Sequence, residues 1–329
     1  MSVCRDTRVV LADHAADVRT RSRPPEIGRR RRKRVGLTVA LTLVASLRAL
    51  AGQQSASILP RELVRQTAEN EIRASTGGMK LMFRDRKETA HGSEVKLMVE
   101  TTEGTAGLLV ESDGKPLTAK QREAEEARLD ALAHNPAELK KRQKAERDDA
   151  ERTMRIVEAL PDAFLYEVEG KESGREGLGR PGDELVRLRF RSNPSYKPPT
   201  RTEQVLMGMR GYLLIDASQK RIAKIDGTLF KDVTFGWGIF GRLDKGGRFV
   251  VQQGVVADRD WEITRIDISF TGKELVLKKI LIQSSDAFSD FRPAPPNLTF
   301  AQGVELLKKQ QATLADQPEH DDSIRFAPR

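Results

Sequence analysis

The sequence is poor in cysteine, histidine and aromatic residues. Its 329 residues include a single cysteine, Cys4, together with four histidines and 5% aromatic residues. One cysteine excludes an intrachain disulfide framework, so packing of the core has to stabilise the fold. The chain is long enough for this, because domains above about 150 residues bury most of their apolar surface without covalent cross-links.

The chain also lacks a hydrophobic run long enough to span a membrane. Val35–Leu47, an uncharged stretch of thirteen residues, follows the basic run Arg29–Arg34 and precedes Ala49-Leu50-Ala51. As a helix, thirteen residues rise about 20 Å, less than the roughly 30 Å hydrocarbon core of a bilayer. This order of segments is typical of a secretory signal peptide. Residues 1–51 are therefore predicted to be a leader and signal peptide of a periplasmic or secreted protein without a stable membrane span; an uncleaved anchor is the alternative.

The net charge of +9 at first suggests a nucleic-acid or anionic-membrane partner. However, residues 1–51 contain 12 Lys and Arg against four Asp and Glu, which leaves 45 basic and 44 acidic residues in the rest of the chain. The predicted mature protein is close to neutral, and its charges are mixed along the sequence. We therefore expect no nucleic-acid partner, because such a partner requires a net basic surface.

Patterns typical of catalytic and metal sites are missing as well. After residue 51 the histidines are His91, His134 and His320; none has a partner at metal-binding spacing, and neither H-E-x-x-H nor G-x-S-x-G occurs. Residues 236–241 match G-x-G-x-x-G, but the segment that follows breaks helices, whereas a dinucleotide site needs a helix there. The sequence predicts no enzyme activity, no catalytic residue, no metal and no cofactor.

Hydrophobic periodicity predicts a single α+β domain over residues 52–317. Residues 52–75 have apolar side chains at helical spacing, Thr299 caps a last helix through Leu314, and residues 318–329 read as a disordered tail. Short alternating segments between these helices favour antiparallel strands. The predicted strands are Met79–Arg84, Val95–Thr101, Ala106–Glu111, Phe164–Glu169, Leu185–Arg191, Val205–Asp216, Arg221–Phe230, Arg248–Val256, Glu262–Phe270 and Leu275–Gln283.

Residues 118–160 interrupt the strands with a charged helical hairpin. Thr118 with Gln121 forms a capping box, and Asn135-Pro136 with Glu138 begins a second helix that Leu160-Pro161 ends. The hairpin contains ten basic and ten acidic residues up to position 159 and no aromatic residue. It is interpreted as a solvated insertion between strands, and a partner-binding arm is the alternative.

Aromatic and glycine residues concentrate late in the chain. Seven glycines lie between residues 227 and 254, interleaved with large rings, which is typical of kinked or bulged strands in curved sheets. Such rings either fill the core or line a concave apolar surface. On the second interpretation, the candidate ligand-lining residues are Trp237, Phe240, Phe249 and Trp261.

The order of these elements, with Gly211–Asp216 followed by Arg221–Gly227, resembles the LolA/LolB-like superfamily of outer-membrane lipoprotein carriers and receptors. The resemblance covers roughly residues 60–290. It implies a curved antiparallel sheet, an open half-barrel, with packed helices. It also implies a non-enzymatic cell-envelope protein that binds an apolar or amphiphilic ligand, such as a lipid or a lipoprotein acyl chain. The alternative is a periplasmic protein-interaction or envelope-stress-sensing module that uses the charged hairpin to hold an envelope protein.

Overall fold

The computed structural model describes residues 59–235, 241–257, 260–274 and 278–315. The helices of this part are α1 (Pro60–Ser75), α2 (Ala119–Ala133), α3 (Pro136–Ala163), α4 (Arg201–Gln204) and α5 (Phe300–Ala315). The strands are β1 (Leu81–Thr89), β2 (Gly92–Thr101), β3 (Gly104–Ser112), β4 (Lys115–Pro116), β5 (Phe164–Ser173), β6 (Glu184–Ser192), β7 (Met209–Asp216), β8 (Arg221–Leu229), β9 (Val233–Phe235), β10 (Gly241–Leu243), β11 (Arg248–Val256), β12 (Asp260–Glu274) and β13 (Lys278–Pro293). The predicted leader 1–51 and tail 318–329 lie outside the described residues.

The thirteen strands form one antiparallel sheet, as the alternation in the sequence predicts. Its order is β4-β3-β2-β1-β13-β12-β11-β8-β7-β6-β5, and β10 pairs with β9 and β12 beside this path. The sheet is not closed, since the path ends at β4 and β5. Together with the helices, it gives the predicted α+β class. Within the described residues, no helix is both long and apolar enough to cross a membrane.

Helix caps follow the sequence signals closely. The hydroxyl of Thr118 and the side chain of Gln121 form the predicted capping box of α2. The side chain of Asn135 accepts a hydrogen bond of 3.1 Å from the backbone N–H of Glu138 at the start of α3. These bonds satisfy backbone donors that the first turn of a helix leaves free.

Several predicted boundaries are wrong; the first strand, predicted as Met79–Arg84, is Leu81–Thr89. The strand predicted from Val205 begins at Met209, because a capping box between Thr200 and Glu203 starts α4, and the chain continues as a 3₁₀ turn, Val205–Gly208. Helix α3 continues through Pro161 to Ala163, and Arg61 hydrogen-bonds the Pro161 carbonyl. Strand β13 extends ten residues past the predicted end, because it pairs with β1 as well as β12.

Helix α5 packs on one face of strands β1–β3. Val99 and Leu108 are fully buried against Phe300, Val304 and Leu307 of α5. Register pairs Arg84 of β1 with Leu97 of β2, so both residues lie on this face. Because side chains alternate along a strand, the neighbouring residues of β1 lie on the opposite face.

The opposite face is continuous across the sheet. One row of paired residues begins at Lys87 in β1 and ends at Leu188 in β6, passing through Asp286, Ile266, Val251, Ile225 and Leu213. At its β6 end this row reaches the main apolar cluster, where Leu63 and Val64 of α1 pack with Leu188 and Leu213. The same sheet face therefore carries charged residues near β1 and core residues near β7.

Candidate functional site

A pocket of about 300 Å³ lies where this face of β1–β3 and β13 meets helices α2 and α3. We call it the sheet–helix pocket. Its residues from the sheet are Phe83, Asp85, Lys87, Glu94, Lys96, Met98, Thr105, Gly107, Leu109 and Phe288, and those from the helices are Glu125, Arg128, Arg142 and Glu146. A volume of this size is at the lower end of the range for small-molecule sites.

One part of the sheet–helix pocket is apolar. The rings of Phe83 and Phe288 meet edge to face with centroids 6.1 Å apart, and Phe83 stacks on Phe291 at 5.6 Å. Met98 lies over Gly107, where a Cβ atom would be 2.7 Å from the Met98 sulfur. Glycine at position 107 therefore makes room for the flexible Met98 side chain on the pocket surface.

The other part of the pocket is charged, and three of its four cations are paired; the fourth is Arg142. Lys87 Nζ lies 3.4 Å from Asp286, and Lys96 Nζ lies 2.6 Å from Glu94. On α2, Arg128 Nε lies 2.6 Å from Glu125, and these side-chain hydrogen bonds raise the pKa of the Arg128 guanidinium. The pocket therefore combines an apolar surface with neutralised ion pairs.

Asp85 differs from these charged neighbours. Its Oδ1 atom is buried and has no hydrogen-bond partner among the described residues. Burial raises the pKa of the Asp85 carboxyl to about 6, and the charge of Asp286 adds to the rise, while Lys87 and Lys96 lower it. Desolvation therefore disfavours the charged form of this carboxyl more than the nearby lysines stabilise it.

Carboxylates of α2 and α3 attach these helices to the edge of the sheet. The backbone N–H of Leu109 in β3 donates to Glu125 at 3.0 Å, and that of Thr105 donates to Glu146 at 3.3 Å. Strand β4 covers only the last residues of β3. The two helices thus satisfy edge donors that β4 leaves unpaired, and they form one wall of the pocket.

Of the four residues predicted to line a ligand surface, the structure describes two, Phe249 and Trp261, and these lie in different clusters. Trp237 and Phe240 lie outside the described residues. Phe249 packs against the main cluster with Leu213, and its ring fills the space beside Gly227, where a Cβ atom would be 2.5 Å from Phe249 Cε1. Trp261 packs with Leu214 instead. Because Leu213 and Leu214 point to opposite faces of β7, Phe249 and Trp261 lie on opposite faces of the sheet.

Trp261 lines a second pocket, of about 270 Å³, beside the end of α1. Arg221 lies over its ring, 5.3 Å from the centroid, and also contacts the buried carboxylate of Glu71 at 3.0 Å. Burial raises the pKa of Glu262 in this pocket to about 6, and the charge of Glu100 adds to the rise. Its single aromatic ring, Trp261, is covered by Arg221, whereas the sheet–helix pocket has two phenylalanine rings in contact, so the second pocket suits an apolar ligand less well.

The largest of the described pockets, about 470 Å³, is an open groove on the other face of the sheet. It is lined mainly by polar residues of β8 and β11–β13. Arg248 binds Asp226 at 2.8 Å, and the Lys224 ammonium donates to the Tyr212 hydroxyl at 2.6 Å. These pairs form a solvated cross-strand network rather than an apolar binding surface.

The residues of the sheet–helix pocket were missed because the predicted first strand ended at Arg84. Asp85 and Lys87 were therefore predicted to lie in a loop. The prediction did not indicate that Phe83, Asp85 and Lys87 share one face of a strand. The alternation of Phe83, Asp85 and Lys87 is the signal that could have revealed this face. The contribution of α2 and α3 depends on tertiary packing, which no local pattern encodes.

Neither of the two described histidines enters the sheet–helix pocket. His91 is exposed in the turn between β1 and β2, and His134 Nδ1 lies 2.7 Å from the carbonyl of Asp130 at the end of α2. In the ranges that the structure describes, no group of three or more His, Cys, Asp or Glu residues has a metal-binding arrangement.

Comparison with protein-family models, curated proteins and solved structures finds no match to this chain.

Proposed function

We propose that this chain is a non-enzymatic cell-envelope protein that binds an apolar or amphiphilic ligand in the sheet–helix pocket. The observation that carries the proposal is the apolar surface of Phe83, Met98, Leu109 and Phe288 next to charged residues, beneath two helices. A ligand with a hydrocarbon chain and a polar head suits this pocket, because the chain would contact the apolar side chains and the head would contact the charged ones. A lipid or a lipoprotein acyl chain has this chemistry.

We also propose that the sheet curves around α3 as an open half-barrel. Helix α3 contacts β3 through Glu146 and β5 through the Leu160 carbonyl, which accepts a 2.6 Å hydrogen bond from Tyr166. These positions are about 21 Å apart along a helix. Nine strand spacings separate β3 from β5 in the sheet order, about 43 Å if the sheet were flat. Curvature toward α3 reconciles the two lengths, and α3 is then the helix of the inserted hairpin that covers the concave face, while Leu129 of α2 packs against α5.

The cellular location and the family are part of the same proposal. A cleavable signal in residues 1–51 would deliver the mature chain to the periplasm or outside the cell, where lipids and acylated proteins are present. The resemblance to LolA/LolB-like proteins rests on the order of the elements, and it would imply a carrier or sensor of such ligands.

A charge placed in the apolar part of the pocket tests the proposal. Decyl maltoside, an uncharged amphiphile, is titrated into the full-length chain by calorimetry. The variant Met98→Asp is expected to bind it at least tenfold more weakly, because the carboxylate must be desolvated by the alkyl chain.

The matched control is Val168→Asp, which places the same charge on an exposed residue of β5, outside the pocket. The control is expected to keep the affinity of the unaltered chain, and circular dichroism establishes that both variants are folded. Absence of decyl maltoside binding to the unaltered chain, or equal affinities for all three proteins, would refute the proposed function.

The alternative, a protein-interaction or envelope-stress-sensing module built on α2 and α3, has less support. The carboxylates of Glu125 and Glu146 point at β3 rather than at a partner surface. Helix α3 also packs on α1 and α4. Both helices therefore act as parts of the domain, and their removal would uncover the sheet–helix pocket.

A further inference from the structure

We infer that the sheet–helix pocket selects amphiphiles with a cationic head group, whose positive charge pairs with the carboxylate of Asp85. This inference rests on the proposed function and adds the chemical class of the ligand. The basis is that Lys87, Lys96 and Arg128 are paired with carboxylates, whereas the Oδ1 atom of Asp85 has no hydrogen-bond partner among the described residues.

Three of the four cations that line the pocket offer little to an anionic head group; the fourth is Arg142 on α3. Lys87, Lys96 and Arg128 are each bound to a carboxylate of the protein, at distances of 2.6 to 3.4 Å. A fatty acid or a phosphate head would have to displace one of these carboxylates. Displacement would leave a partly buried carboxylate without its cation, which is costly.

Asp85 presents the opposite situation. Its Oδ1 atom lacks a hydrogen-bond partner among the described residues, and Asp286 places a second negative charge nearby. Lys87 and Lys96 lower the pKa of Asp85, but each of them also forms an ion pair with another carboxylate, Asp286 or Glu94. The Asp85 charge is therefore compensated only in part, so an added cation would be attracted to it and an added anion repelled.

The position of Asp85 also matches the shape of an amphiphile. In the register of the sheet, Asp85 is opposite Phe288, and Phe83 is two residues away on the same face. An ammonium group at Asp85 would lie beside aromatic rings, which attract cations. The hydrocarbon chain would then extend over Phe83, Met98 and Leu109.

Binding should therefore weaken in acid. The charged groups that face Asp85 from the strands and helices around it are Lys87, Glu94, Lys96, Asp286, Glu125, Arg128, Arg142 and Glu146. The pKa of Asp85 is raised to about 6 in the free protein, and a bound cation would lower it. The affinity for the cation is therefore greatest well above pH 6, where Asp85 is charged, and it falls as the pH decreases and Asp85 becomes protonated.

The test compares three decyl amphiphiles whose charges do not titrate: decyltrimethylammonium, decyl maltoside and decanesulfonate. Each is titrated by calorimetry into the full-length chain at pH 7.5 and pH 5.0, below its micelle concentration. We expect decyltrimethylammonium to bind at least tenfold more tightly than decanesulfonate at pH 7.5, and this preference to shrink severalfold at pH 5.0.

The variant Asp85→Asn should lose the preference for the cation at pH 7.5 and its pH dependence, both measured as the ratio of the affinities for decyltrimethylammonium and decanesulfonate. The control Glu88→Gln changes an exposed carboxyl on the other face of β1 and should behave like the unaltered chain. If decyl maltoside binds but the head-group charge makes no difference, or if decanesulfonate binds most tightly, the inference is overturned while the proposed function stands. If no amphiphile binds, the proposed function itself fails. Because the series is run on the unaltered chain, a folding defect of Asp85→Asn cannot hide the result.

Discussion

Buried charged residues of this protein fall into two kinds that differ in their hydrogen bonding. Glu71, on α1, is 5% exposed and accepts hydrogen bonds from Arg221 Nε at 3.0 Å and from the backbone N–H of Ile222 at 2.7 Å. Asp85 is only half-buried, but its Oδ1 atom is buried and has no hydrogen-bond partner among the described residues. A buried carboxylate with its partners in place fixes one element on another, whereas a buried carboxyl oxygen without a partner destabilises the folded state.

The role of Glu71 leads to a prediction for stability. Replacement by alanine leaves Arg221 and the Ile222 N–H without their acceptor near the end of α1, so Glu71→Ala should lower the free energy of unfolding by about 3 kcal/mol. Urea denaturation followed by circular dichroism measures this. Glu69→Ala, which changes an exposed residue of the same helix, should cost less than about 0.5 kcal/mol. Equal stabilities of the two variants would show that the Glu71 contacts do not hold α1 on the sheet.

Two single residues, Phe249 and Trp261, show how much of the site could be predicted from the sequence. Phe249 and Trp261 are large rings that both lie in strands; the sequence predicts this for Phe249, whereas the strand predicted from Glu262 begins one residue after Trp261. Their assignment to a shared surface depended on which face each ring occupies, and the register shift between Gln252 and Gln253 alters that alternation. A bulge of this kind has no reliable local signature, so faces on either side of it cannot be related from sequence.

At the scale of elements, α2 and α3 protect the edge of the sheet. The edge strand β3 pairs with β2 on one side, and on the other side it donates backbone hydrogen bonds to Glu125 and Glu146. An exposed strand edge is a template for pairing with another chain. The charged hairpin thus has a structural role in addition to covering the pocket.

This role predicts a local change in hydrogen exchange. In Glu125→Ala, the amide hydrogen of Leu109 loses its acceptor and should exchange at least tenfold faster, since its protection depends on that bond. Amide exchange followed by nuclear magnetic resonance measures the rate. Glu126→Ala, at the next position of α2, is the control and should leave the Leu109 rate unchanged. An unchanged rate in Glu125→Ala would show that β3 is protected by other contacts.

Elements with local signals were predicted well. Thr118 and Asn135 cap α2 and α3 where the sequence places them, and β8 differs from its predicted bounds by one residue. Strand β13 was shortened in the prediction because Ser284, Ser285 and Asp286 read as a loop. These polar residues remain in the strand since β1 and β12 pair with them from both sides. Such pairing is a long-range effect that overrides local propensity.

At the scale of the whole molecule, a strand from early in the sequence pairs with a strand from late in the sequence. Strand β1 pairs with β13, so the N-terminal strands and the C-terminal strands share the pocket wall through Phe83 and Phe288. This contact joins positions more than 200 residues apart, and no pattern within either segment predicts it. The class of fold could be predicted from sequence, whereas the location of the pocket required the strand order.

The whole-molecule account is that one face of this sheet passes from a packed core under α1 to a ligand pocket under α2 and α3. Paired charges and apolar rings near β1 are the features that separate the second region from the first. Binding at the pocket should order the strands and helices that line it and leave distant edges unaffected.

Hydrogen–deuterium exchange of the full-length chain with and without saturating decyl maltoside tests this central claim most directly. The account predicts slower exchange in β1, β2 and β3 and in the parts of α2 and α3 that line the pocket, with no change in β5. The control variant Met98→Asp should show no such slowing at the same concentration. Slowing confined to the segment around Trp261, or to the exposed edge at β5, would contradict the account.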